Sequence, residues 1–167
     1  MTTSDELLVK PGWRFLFSHP AYLLSFGFGS GLARKAPGTF GTLIAFLLYW
    51  LLAPLMSDES FVLFLILAFA LGVWVCDITG KVLGVADYGG IVWDEIVAFM
   101  LVLFFTPSGW YWSLLAFVLF RVFDIVKPPP IRYFDSNWHG GLGVMFDDLL
   151  AAGYALMCLA LLRSALI

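Results

Sequence analysis

Six charged residues stand inside or at the edges of otherwise apolar runs: Asp94 and Glu95, Arg121 and Asp124, and Asp147 and Asp148. A carboxylate at the centre of a membrane helix costs about 2.5–3.5 kcal/mol on insertion scales and less near the ends, so acids kept at such positions point to a site. Five carboxylates brought together repel one another unless cations join them, and hard divalent ions prefer oxygen ligands. Magnesium is the best match, because it accepts a few carboxylates together with waters and a substrate phosphate; manganese fits the same ligand set. One acidic pair at a helix start would serve equally well as a cap, favouring the macrodipole by about 0.3–1 kcal/mol. Acids that merely pair with Arg121, Lys127 and Arg132 are the plainer alternative. Two acidic pairs plus Asp124 on a third element favour metal ligands, with Asp94, Glu95, Asp124, Asp147 and Asp148 as the candidate set.

Phosphate recognition is the second ingredient. The segment Ala36-Pro-Gly-Thr-Phe-Gly-Thr42 runs directly into an apolar stretch. Pro37 and Gly38 break the preceding structure, Gly41 removes bulk, and Thr39 or Thr42 can cap a helix whose free N–H groups then face an anion. Arg34 and Lys35 precede it. Arg121 and Lys127 flank Asp124 at a spacing of three, which permits an ion-pair lattice or a clamp on a phosphoryl group. Arg132 adds charge nearby, and His139 can either protonate a leaving alkoxide or act as a surface hydrogen-bonder. Cys76 lacks an arginine six places on, where Val82 stands, so a thiolate phosphatase loop is absent.

The elements that must hold these residues are set by composition. Of 167 residues 62% are hydrophobic and 13% charged, against roughly 25% charged in a soluble domain, so lipid must cover much of the surface. Five apolar stretches, about 40–56, 61–78, 91–106, 111–126 and 144–162, each reach roughly 24–29 Å as helices, close to a hydrocarbon core of about 30 Å. The reading is an all-α polytopic membrane bundle forming one domain over 1–167. About five transmembrane helices are joined to an N-terminal segment, around 13–28, that is interfacial or re-entrant. The acidic start lacks the basic and apolar regions of a secretory signal. Short connections at 57–60 and 107–110 permit only tight hairpins, so both turns share a side. Eight of the nine basic residues fall in or beside the long segments 1–39, 79–90 and 127–143, which the positive-inside rule makes cytoplasmic. Three prolines at 128–130 stop the fourth stretch, and Asn137, His139 and Gly140, Gly141 and Gly143 read as a flexible polar loop. No nucleic-acid partner is expected; the partners are lipid and membrane.

The motifs resemble those of the phosphatidylglycerophosphatase A family. The resemblance rests on Gly29-Ser-Gly-Leu, Pro37-Gly-Thr-Phe-Gly-Thr-Leu and Gly90-Ile-Val-Trp-Asp-Glu. It rests also on Phe120-Arg-Val-Phe-Asp through Pro128-Pro-Pro-Ile-Arg-Tyr-Phe-Asp, and on Gly140-Gly-Leu-Gly-Val-Met-Phe-Asp-Asp-Leu-Leu-Ala-Ala-Gly. Thr42 and Leu149 are mild departures, where serine and isoleucine are expected. The resemblance implies a Mg²⁺-dependent enzyme of the bacterial inner membrane that removes the terminal phosphate of phosphatidylglycerophosphate. It also implies an active site containing Asp94, Glu95, Asp124, Asp147 and Asp148. Either a metal-oriented water or an aspartate, Asp94 or Asp148, is then the nucleophile. Arg121, Lys127 and the Thr39–Thr42 backbone are expected to grip phosphate oxygens. A divalent-cation transporter and a non-catalytic membrane scaffold are the alternatives.

Overall fold

Ser57 opens a helix of 26 residues as its N-cap, the Oγ accepting the Ser60 N–H at 3.3 Å, and Asp58 and Glu59 occupy the first turn. The helix then runs without a breaker until Gly84, whose φ of +77° suits glycine. The computed structural model describes residues 9–166, and among them every regular element is helical. Two short helices, α1 (Trp13–Leu16) and α2 (Pro20–Ser25), lead through a 3-10 segment, Gly27–Leu32, to α3 (Pro37–Leu52), which a 3-10 turn, Ala53–Leu55, extends. There follow α4 (Asp58–Leu83), α5 (Trp93–Phe105), α6 (Trp110–Val126), α7 (Ile131–Asn137) and α8 (Gly140–Leu166). The acidic start of the chain lies outside the described residues.

The centre of the bundle is α5. Its nine buried side chains run all around the helix, and a helix apolar on every face belongs inside. It is packed against α3, α4, α6 and α8. Phe99 meets Phe46 of α3 and Phe120 of α6 at ring-centroid distances of 5.0 and 5.4 Å, and Phe104 stacks on Phe61 of α4 at 5.4 Å. The Trp93 indole N–H donates to the Ala68 carbonyl at 3.1 Å, fixing the level at which α5 begins against α4. The outer faces are apolar as well: Leu47 and Trp50 on α3, Leu63 and Leu67 on α4, Val118 and Ile125 on α6, and Leu161 on α8 are exposed. Exposed apolar surface on so many helices is what a lipid solvent requires. Three helical segments, Pro37–Leu55, Asp58–Leu83 and Gly140–Ala165, are long and apolar enough to cross a membrane by themselves. The 13 residues of α5 and 17 of α6 reach only about 20 and 26 Å, and the burial of α5 by its neighbours frees it from having to match a bilayer alone.

Three expectations change. The segment 13–28 is not one helix. His19 caps α2 through Nδ1, which accepts the Ala21 N–H at 3.1 Å, Pro20 starts that helix, and positive φ at Gly27, Phe28 and Gly29 turns the chain again. The pieces are tied to the bundle: the Ser25 and Thr79 hydroxyls lie 2.8 Å apart, and the Val92 N–H donates to the Ser25 carbonyl at 2.8 Å. The polar loop expected before Asp147 is instead α7 and the first turns of α8. Its glycines serve close approach, since a Cβ at Gly141 would collide with the Val73 carbonyl and one at Gly143 with that of Trp138. Phe134 meets Trp138 and Phe146 edge to face, and Trp138 and Phe146 are tilted against each other, at ring-centroid distances of 4.8–5.1 Å. Finally, neither Thr39 nor Thr42 caps α3. Ala36, in a left-handed conformation, is the N-cap, and the Thr42 hydroxyl turns back to donate to the Gly38 carbonyl at 2.8 Å.

Candidate active site

Four helices deliver the site. Glu95 comes from the first turn of α5, Arg121 and Asp124 lie one turn apart near the end of α6, and Asp148 comes from the third turn of α8. The fourth, α3, contributes an absence of side chain: a Cβ at Gly38 would fall on the Glu95 carboxylate, and one at Gly41 would strike Val92 and approach the same carboxylate. Only glycine lets α3 come this close.

One nitrogen, Arg121 Nη1, bonds Glu95 Oε1 at 3.1 Å and also Asp124 Oδ2. The three side chains are 12–14% exposed, so the pairs are largely withdrawn from solvent. Glu95, Asp124 and Asp148 each offer an oxygen within 4.8 Å of the other two. Two of these residues carry buried oxygens without a hydrogen-bond partner, Glu95 Oε2 and Asp148 Oδ2. Buried polar atoms are ordinarily satisfied, and an excess of clustered carboxylate oxygen over donors is what a hard cation relieves. The donor set therefore fits a divalent ion such as magnesium or manganese. Arg121 Nε is buried and unpartnered too, so its N–H is without an acceptor.

Asp147 and Asp94 stand apart from this group. Asp147 Oδ2 accepts from Lys127 Nζ at 2.5 Å, the same nitrogen donates to Asp135 at 2.6 Å, and Asp147 Oδ1 receives the Asp148 N–H at 3.1 Å. Lys127, in a left-handed C-cap conformation at the end of α6, thus swings toward α7 and α8 and not toward Asp124. Burial alone would lower its pKa, but Asp147 and Asp135 outweigh burial and hold the ammonium above its ordinary value. Asp94, one residue before Glu95, faces a different side of α5. It closes one end of a cavity of about 240 Å³ between α4, α5 and α8, with Oδ1 buried and unpartnered.

The outer candidates are dispersed. Arg34, Lys35, Arg132 and His139 are exposed, and the first three make no ion pair among the described residues. His139 lines a small cleft with Asp87, Asp135 and Asp147. The N–H groups of Thr39 and Phe40 already donate to the Ala36 carbonyl, so the Thr39–Thr42 backbone has fewer free donors than its sequence suggested. Sequence reasoning passed over Asp87 and Asp135. Asp135 ends the Pro-Pro-Pro-Ile-Arg-Tyr-Phe-Asp block and could have been read as a partner for a base, whereas Asp87 sits in a short turn with no pattern around it.

The sequence model described as Phosphatidylglycerophosphatase A matches residues 23–163, a span that includes all of these residues. The chain is similar to the phosphatidylglycerophosphatase A of Haemophilus influenzae, with 49% identity over 140 residues covering 83% of this chain and 86% of that one. It is also similar to the phosphatidylglycerophosphatase A of Escherichia coli, with 43% identity over 139 residues covering 83% and 80%. No solved structure matches it.

Proposed function

Because the chain belongs to the phosphatidylglycerophosphatase A family, we propose that it hydrolyses the terminal phosphate of phosphatidylglycerophosphate to phosphatidylglycerol and inorganic phosphate. We place the reaction, with Mg²⁺, at the cytoplasmic face of a bacterial inner membrane, and five crossings of that membrane go with this reading. The observation that carries it is the buried cluster of Glu95, Asp124 and Asp148, three oxygens within 4.8 Å with Arg121 beside them.

In this reading Glu95, Asp124 and Asp148 hold the ion. When bound, magnesium supplies charge that neutralises phosphate oxygens and makes a coordinated water more acidic. Arg121 fixes Glu95 and Asp124 in place through Nη1 and donates from its unpartnered Nε to a phosphate oxygen, a charge-assisted bond. Lys127 holds Asp147, and Asp147 in turn takes the Asp148 N–H, so the Asp147 carboxylate is fixed at both oxygens. Asp94 keeps a buried oxygen outside the ligand group and is suited to accept the proton of an attacking water. The exposed Arg34, Lys35 and Arg132 add positive charge that attracts an anionic headgroup, and His139 is exposed to hydrogen-bond it.

Phosphate release from purified lipid in detergent, with Mg²⁺ and then with chelator, tests the reading. Rapid release that stops on chelation is expected. No release at any divalent concentration would refute it and leave a cation transporter or a scaffold in its place.

A further inference from the structure

The cavity that Asp94 closes has a shape the reaction itself does not require. Val62, Leu65 and Phe69 of α4, Val97 and Leu101 of α5, and Leu149 of α8 form most of its walls, and Asp94 is its only charged residue. From Asp94 to Leu101 is seven residues of helix, a trench about 10 Å long. Leu65 and Val97 are buried at its floor, while Val62 and Ile66 on its rim are exposed on the side where lipid lies. The trench therefore opens laterally and ends, within one helical turn of Glu95, on a carboxylate with an unpartnered oxygen.

We propose, on the basis of the lipid phosphatase reading, that this trench seats one acyl chain of the phosphate-bearing lipid and so sets the register of its headgroup on the carboxylates. The continuity of trench and site argues for this occupant. A bulk lipid lying in the trench would bring its headgroup up against Asp94 with nothing to neutralise it, whereas a lipid with a terminal phosphate reaches the cluster next door. A chain that moves from bilayer to trench exchanges one apolar medium for another, so the gain comes from close packing and not from leaving water. Chain selection is accordingly modest and shape-dependent. The walls at Leu101 and Val62 meet the far part of the chain, and Ala98, with its small side chain, sets the width between them.

The test combines a selectivity ratio with a direct label. Leu101→Trp and Ala98→Leu both narrow the trench away from the carboxylates. Each should lower the ratio of kcat/KM for the diacyl lipid over that for its deacylated, water-soluble phosphate monoester by about tenfold. A phosphatidic acid carrying a diazirine midway along one chain should label α4, α5 and α8 at trench positions in the unmodified protein. Labelling elsewhere, or a ratio unchanged in both variants, overturns the proposal. A label in the trench on a protein that releases no phosphate from any lipid would instead uphold the trench and refute the phosphatase reading.

Discussion

Replacing Arg121 separates two roles that its geometry combines. The Nη1 atom neutralises Glu95 and Asp124 together, and Nε remains a buried free donor. In Arg121→Lys a single ammonium, placed nearer the backbone than Nη1, can pair with carboxylates as Lys127 does, but it lacks the planar fork that would also hold a phosphate oxygen. Losing one charge-assisted hydrogen bond in the transition state is worth about 1.5–3 kcal/mol, hence about 10- to 150-fold in kcat/KM. In Arg121→Met both carboxylates are left buried without a base, and breaking a buried pair costs about 3–5 kcal/mol. Stability should therefore fall clearly in the methionine variant and little in the lysine variant. Excess Mg²⁺ should restore part of the loss in the methionine variant, since a cation among the same oxygens takes over the neutralising role. Steady-state kinetics and detergent melting curves at low and high Mg²⁺ measure all of this. A lysine variant with wild-type kcat/KM would remove Arg121 from the phosphate contacts, and a methionine variant as stable as the parent without metal would show that the carboxylates do not need it.

Asp148→Asn and Asp94→Asn should each lower turnover by at least about 100-fold, or roughly 2.7 kcal/mol, yet only the first should weaken Mn²⁺ binding followed by paramagnetic resonance; equal weakening in both would place Asp94 among the ligands. Gly141→Ala should disrupt the contact of α8 with α4, because its Cβ would overlap the Val73 carbonyl, while Gly153→Ala, with nothing within 4 Å, should be tolerated and raise helix stability by up to about 1 kcal/mol. Expression yield and melting temperature compare the two, and a well-folded Gly141→Ala protein would contradict the packing described. Cysteines placed at Lys81 and Asn137 should react only with reagent admitted to the cytoplasm, and one at Ser108 with impermeant reagent outside; labelling of the Asn137 position from outside would invert the topology.

The five long helices were legible because each is an apolar run bounded by polar turns, and the acids stood out because lipid makes them costly. Helix ends were less legible. The second apolar stretch was expected to end near 78, yet α4 continues to Leu83 with Asp77 and Lys81 paired at 2.6 Å on it, since charge ends a membrane crossing but not a helix. The partner of Lys127 was hidden for a different reason. Spacing of three predicts a neighbour on the same helix, but the left-handed cap conformation turns Lys127 off the helical path toward residues 8 and 20 positions away. The glycines of 140–143 carry the signature of a flexible loop and of tight packing alike, and only the position of Val73 tells them apart.

The late start of α5 has a consequence for traffic. Trp93 begins at the level of Ala68, and α4 continues 15 residues further to Leu83, roughly 22 Å as helix. The acidic cluster, which starts at that level on α5, is therefore overtopped on one side by the far part of α4. In the proposed reaction inorganic phosphate goes to water, whereas phosphatidylglycerol, a phospholipid, stays in the membrane. Two products that leave for different media need not queue for one door.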